Sequence, residues 1–183
     1  LVREHALLLP VESRPLESLA GAFLAQSVRS ERDQPPFDRV TMDGIAFASH
    51  AWRQGQRRFR IAGIQAAGYP PLNLVDAADC LEAMTGAVLP QGCDCVVPVE
   101  RLRVEDGFAV VDDDTPVEPF LNVHTRGLDA REGDLLLARG TRLGAPELAV
   151  LASAGLPRAD VRIEPRILIA TTGDELVAPD QPI

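Results

Sequence analysis

At 183 residues the chain is long enough for one medium domain or two small ones, and 46% apolar with 25% charged residues is a balance that can bury a core. All 18 basic residues are arginine, against 27 acidic ones, for a net charge of −9. The lack of lysine excludes Schiff-base chemistry and the P-loop lysine, and the acidic balance excludes a broad nucleic-acid footprint, which needs clustered positive charge.

No run approaches the roughly 20 apolar residues of a bilayer span, and the amino terminus lacks the basic-then-apolar pattern of a signal peptide. The expectation is a cytoplasmic protein with no membrane partner. Because the chain opens at Leu1 without a Met, Leu7-Leu8-Leu9-Pro10 reads as the end of an element that begins earlier. From Pro15 to Val28, Leu16, Leu19, Ala20, Phe23 and Leu24 fall at helical spacing, with Pro15 suited to a first turn and Ser13 to a cap, which predicts an amphipathic helix. Between Ser30 and Phe37 the polar run ending in Pro35-Pro36 denies a helix and reads as a crossing between domains.

From Arg58 to Val111 short apolar runs broken by Gly, Pro and Asp predict a β region. Its clearest element is a hairpin from Leu102 to Val111 turning at Asp106-Gly107. Arg53, Arg57, Arg58 and Arg60 read as a solvated loop and strand edge, and Asp112-Asp113-Asp114 as a solvated loop rather than a metal cage. Cys80, Cys93 and Cys95, odd in number and without Cys-x-x-Cys spacing, read as small core residues, and His5, His50 and His124 are scattered singly. Pro146 and Glu147 open a second helix that Gly155 closes. Val161 and Ile163 mark a short strand. Ile167-Leu168-Ile169-Ala170 is an uninterrupted apolar run of the kind found in a parallel strand covered on both faces. Such a strand needs partners reached by crossovers of a dozen or more residues, so the expectation is that the rest of its domain lies outside this chain.

Four stretches gather polar or flexible residues beyond what a loop requires. They are Pro36-Phe37-Asp38 with Thr41-Met42-Asp43-Gly44-Ile45-Ala46; Met84-Thr85-Gly86-Ala87 leading to Gly92-Cys93-Asp94-Cys95-Val96-Val97; Arg126-Gly127-Leu128-Asp129; and Thr172-Gly173-Asp174-Glu175-Leu176. Singly, each has a turn as its ordinary explanation. In this order and spacing they resemble the molybdopterin molybdenumtransferase family, of the bacterial MoeA type and the gephyrin E domain. The Met-Asp-Gly, Thr-Gly-Ala and Thr-Gly-Asp-Glu-Leu cores are intact. Val40 and Thr41 stand where the family has Ser and Ala, Ile45 replaces a Tyr, and Leu128 replaces a Glu.

The resemblance implies an α+β, multidomain protein. A β-rich domain, residues 33–125, would be inserted into a discontinuous α/β first domain, residues 1–32 and 126–164, that serves linkage and dimerisation. Residues 165–183 would be the truncated start of an α/β molybdopterin-binding domain. It further implies a homodimer whose site lies between the β domain of one subunit and the α/β domain of the other. The implied activity is Mg²⁺-dependent transfer of molybdate onto adenylylated molybdopterin with release of AMP, this chain alone being inactive; the alternatives are a docking scaffold or a pterin carrier. Both substrates are anions, so acidic residues converging on them call for a cation between. On that logic Asp43 and Glu175 hold the ion or orient its water. Asp43, Thr85, Asp129 and Glu175 form the catalytic set, and Gly44, Gly86, Thr172, Gly173 and Asp174 contact pterin or phosphate. Asp129 has an equal alternative as a turn carboxylate capping backbone N–H groups before Gly133.

Overall fold

The computed structural model describes residues 8–170 and 172. Contacts divide the chain into two units, Arg29–Leu136 and the described residues of Leu1–Val28 with Leu137–Ile183. Strands predominate, and among the described residues no helix is long and apolar enough to cross a membrane.

Arg29–Leu136 is built on a six-stranded sheet in the order Cys95–Pro98, Gly44–Phe47, Asp79–Ala83, Arg58–Gln65, Phe108–Val111, Leu102–Glu105. All its pairings are antiparallel except that of Arg58–Gln65 with Asp79–Ala83. Gly44–Phe47 is buried along its length. Because side chains alternate across a strand, its Ile45 and Phe47 enter one core cluster with Phe59, Cys95 and Val97, while Ala46 enters another with Val40, Ala83 and Val96. Phe47 and Phe59 stack with ring centroids 4.3 Å apart. The expected hairpin forms: Phe108 pairs with Glu105, so Asp106 and Gly107 make a two-residue loop with φ of 50° and 79°, the type I′ geometry that follows strand twist.

All three cysteines are buried and free. Burial pushes the Cys80 and Cys93 thiols up to about 12 and raises that of Cys95 as well, so none is a thiolate near neutral pH. Three of the four arginines in the group Arg53, Arg57, Arg58 and Arg60 make specific contacts. The Arg57 guanidinium lies 3.6 Å over Trp52, that of Arg58 lies 3.7 Å over Phe108, and Arg60 pairs with Asp79. Asp112, Asp113 and Asp114 pair with Arg103, Arg57 and Arg101. A short helix at Ser49–Arg53 carries no periodic signal; its start is capped from outside by Asp94, which accepts the Ser49 N–H at 2.6 Å and the Ser49 hydroxyl at 2.7 Å.

The other unit contains a three-stranded sheet, Val11–Pro15, Arg158–Arg162, Phe23–Leu24, and the helix Ala145–Ser153. That helix has Pro146 in its first turn, Glu147 accepting the Gly144 N–H at 2.9 Å, and Gly155 at φ 75° just past its end. The helix expected over Pro15–Val28 is absent. Only Leu16–Ser18 makes a single 3-10 turn, after which Gly21 at φ 83° turns the chain and Leu24 pairs with Val161. The buried residues are Leu19, Ala22, Leu24 and Val28, and Phe23, assigned to the apolar face of the expected helix, is 51% exposed. Sheet pairing overrides local spacing here. At Ile167–Ala170, where a parallel strand with partners outside this chain is expected, no described strand pairs with the run, and Ile167, Leu168 and Ile169 are 78%, 92% and 84% exposed.

Candidate functional site

Asp43 leaves the sheet one residue before Gly44, and Gly44 stands opposite Ala83 in an antiparallel pair. The loop bearing Asp43 and the turn bearing Thr85 therefore emerge side by side from adjacent strand ends. Asp43 Oδ1 accepts the Thr85 backbone N–H at 2.7 Å and the Thr85 hydroxyl at 2.8 Å. These two donors, the backbone one foremost, hold the Asp43 carboxyl below its ordinary range. The Asp43 carbonyl in turn accepts from Val99 N–H at 3.1 Å, which fixes the loop from the far side.

The glycines of the two motifs serve this geometry. A Cβ at Gly44 would lie 2.0 Å from the Val97 carbonyl oxygen, so close approach of two strands demands glycine there. Gly86 adopts φ 86°, and its N–H donates to the Val40 carbonyl at 2.9 Å. Fully buried Gln65 braces the neighbouring loop: its Oε1 accepts the Leu72 N–H at 2.6 Å, and Ala67 borders Gly86.

Val40 connects this turn to a second group of polar residues. Its N–H donates to the Ala87 carbonyl at 2.9 Å, and the strand Arg39–Val40 pairs antiparallel with Val123–His124. His124 Nε2 lies 2.9 Å from Asp129 Oδ1, and Arg39 Nη2 lies 3.4 Å from His124 Nδ1. The Asp129 loop is tied to the crossing segment, with Asp129 N–H donating to the Gln34 carbonyl at 2.8 Å and Gly127 N–H to that of Pro35 at 3.0 Å. The turn-capping role open to Asp129 belongs to other carboxylates. Asp134 accepts the Arg131 N–H at 2.8 Å, and Asp33 accepts the Glu132 N–H at 3.0 Å together with Arg126. Those donors, the Glu132 N–H first, hold the Asp33 carboxyl below its ordinary value.

Of the residues predicted as site members, Asp43, Gly44, Thr85 and Gly86 are brought together, and Asp129 lies in the loop that follows Val123–His124, in contact with His124. Thr172 is exposed in no regular element, and Gly173, Asp174 and Glu175 lie outside the described residues. No group of three or more His, Cys, Asp or Glu able to hold a metal occurs among the described residues. Asp43 offers a carboxylate whose Oδ2 is engaged by no described hydrogen bond. That is a hard oxygen donor of the kind Mg²⁺ takes from protein when phosphate oxygens and water complete its shell. Sequence reasoning missed His124, because an isolated histidine gains meaning only from the register that sets it opposite Arg39.

Residues 1–155 match the family model described as the MoeA N-terminal region, domains I and II. A molybdopterin molybdenumtransferase from Synechocystis sp. is 42% identical over 157 residues, which make up 86% of this chain and 40% of that protein. Another from Nostoc sp. is 33% identical over 167 residues, 89% of this chain and 38% of that protein. The crystal structure of a molybdopterin biosynthesis MoeA protein from Pyrococcus horikoshii superposes with a TM-score of 0.77 at 29% identity, covering 98% of this chain and 46% of its own. The chain thus spans less than half the length of each of these relatives.

Proposed function

This chain belongs to the MoeA N-terminal region family, and from that membership we propose that it supplies part of the site of a molybdopterin molybdenumtransferase acting in molybdenum cofactor biosynthesis. The reaction is transfer of molybdate onto the dithiolene of adenylylated molybdopterin with release of AMP. The observation that carries the reading is the Asp43 carboxylate, fixed at one oxygen by Thr85 N–H and hydroxyl and open at the other.

A carboxylate held ionised beside anionic substrates works only with a positive charge between them. Mg²⁺, bound by Asp43 and Glu175, would supply that charge. Thr85 keeps the carboxylate in one orientation and one protonation state. The N–H groups around Gly86 suit phosphate or pterin oxygens, and Gly44 lets the two loops approach. Asp129 faces the same substrates from the loop that follows the next strand pair, and Thr172, Gly173 and Asp174 complete the pterin side. In this reading residues 33–125 form a β-rich domain inserted into a first domain of residues 1–32 and 126–164. Residues 165–183 open an α/β pterin-binding domain, and the working form is a cytoplasmic homodimer.

Leu128, 66% exposed where the family resemblance expects a Glu, favours one second reading, a docking scaffold without transferase activity. Mg²⁺-dependent AMP release from adenylylated molybdopterin by the complete protein decides between them. Expected is release in the parent and its loss in Asp43→Ala with an unchanged circular dichroism spectrum. Turnover in Asp43→Ala close to the parent's would remove the role given to Asp43, and no release in the parent would favour the scaffold.

A further inference from the structure

Resting on the reading of Asp129 as a site residue, we propose that His124 is the positioning residue for Asp129, and that Arg39 selects the tautomer in which it acts. The guanidinium has donors and no acceptor. With Arg39 Nη2 3.4 Å from Nδ1, a proton on that nitrogen would face another N–H, so Nδ1 must present its lone pair. The imidazole proton then sits on Nε2 and is donated to Asp129 Oδ1 at 2.9 Å. Only a histidine, or a side chain with an acceptor and a donor spaced alike, can satisfy both neighbours.

The backbone makes this arrangement rigid. Arg39 and His124 are direct partners across an antiparallel pair, and the Asp129 main chain is hydrogen-bonded to Gln34. Each member of the Arg39, His124, Asp129 series is therefore placed by main-chain bonds, not by the contact itself. The strand that carries Arg39 is also the one whose Val40 holds Ala87 and Gly86. Orientation at Asp129 is thus referred to the same backbone that sets Thr85 beside Asp43.

A neutral donor has a specific consequence. An arginine or lysine in place of His124 would pair with Asp129 and cancel its charge, whereas a neutral imidazole fixes one oxygen and leaves the charge available. Asp129 is more than half exposed, and its second oxygen is engaged by no described hydrogen bond. Fixing one carboxylate oxygen through a supporting group is the general means by which a carboxylate is aimed.

The test has two arms. In the chain itself, ¹⁵N imidazole shifts are expected to show His124 protonated at Nε2 and bare at Nδ1 near neutral pH. In the complete protein, His124→Leu and His124→Glu are expected to lower kcat for AMP release by roughly ten-fold or more with KM little changed. His124→Gln, which keeps an acceptor toward Arg39 and a donor toward Asp129, is expected to restore what His124→Leu loses. An Nδ1-protonated tautomer overturns the proposal, as does normal kcat in both His124→Leu and His124→Glu while Asp129→Ala is inactive. Full turnover in Asp129→Ala instead overturns the underlying reading of Asp129, and the proposal with it.

Discussion

Asp43 and Thr85 meet through two hydrogen bonds to one oxygen, and their effects are separable because one donor is main chain and the other side chain. Both lower the Asp43 pKa, the backbone N–H more than the hydroxyl. With a folded pKa below the unfolded one, the contribution to stability is complete above the ordinary carboxylate value, and it is lost as pH falls through the depressed folded value. Thr85→Val removes only the hydroxyl. Its expected result, by carbon-detected NMR titration of the Asp43 carboxyl, is a midpoint raised part of the way toward the ordinary value; an unchanged midpoint would sink the assignment of the second donor. Asp43 and Thr85 were legible in the sequence because each sits in a short motif whose order carries information. His124 was not, since its meaning lies in a cross-strand pairing over a separation of 85 residues.

Elements were legible where local chemistry and tertiary pairing agree. The hairpin has alternation on both strands and an Asp-Gly turn whose two positive φ angles its residues tolerate, so nothing distant has to decide it. The stretch from Pro15 to Val28 has helical spacing too, but Gly21 and the pairing of Leu24 with Val161 settle it otherwise, since strand partners more than 130 residues away in sequence are invisible to a spacing rule. Gly44 belongs to this scale as well. The motif points to it as a ligand contact, whereas its environment is strand packing against the Val97 carbonyl, with no room for a methyl group. Gly44→Ala is therefore expected to destabilise the fold by about 3 kcal/mol or more, at or beyond the range for overpacked cores, because main chain must move and not a flexible side chain. Urea unfolding measures this. A loss below about 1 kcal/mol would mean that the two strands separate more easily than their register implies.

At the scale of the whole molecule, the question is which part of the chain is sufficient for the geometry of the site. The core clusters around Phe47 and around Ala46 draw every member from within Arg29–Leu136, and so do the pairs Asp43 with Thr85 and His124 with Asp129. At about 100 residues, such a unit lies in the range where one continuous core can hold a fold by itself. The expectation is that Arg29–Leu136 made alone gives a dispersed NMR spectrum, with Asp43 titrating below the ordinary carboxylate range and His124 in the same tautomer as in the whole chain. Sequence texture could not supply this expectation, because the crossing at Pro35-Pro36 marks where the chain bends and not where its contacts stop. The polar bonds of Asp33 and Gln34 to residues 126–132 lie inside the unit, so cutting at Pro36 and Thr125 would remove that interlock whole and leave Asp38 without the Arg126 N–H and His124 without Asp129. A piece beginning at Pro36 and ending at Thr125 is accordingly expected to melt lower than Arg29–Leu136. Equal melting temperatures would show that the interlock between the crossing segment and the Asp129 loop contributes nothing to the fold.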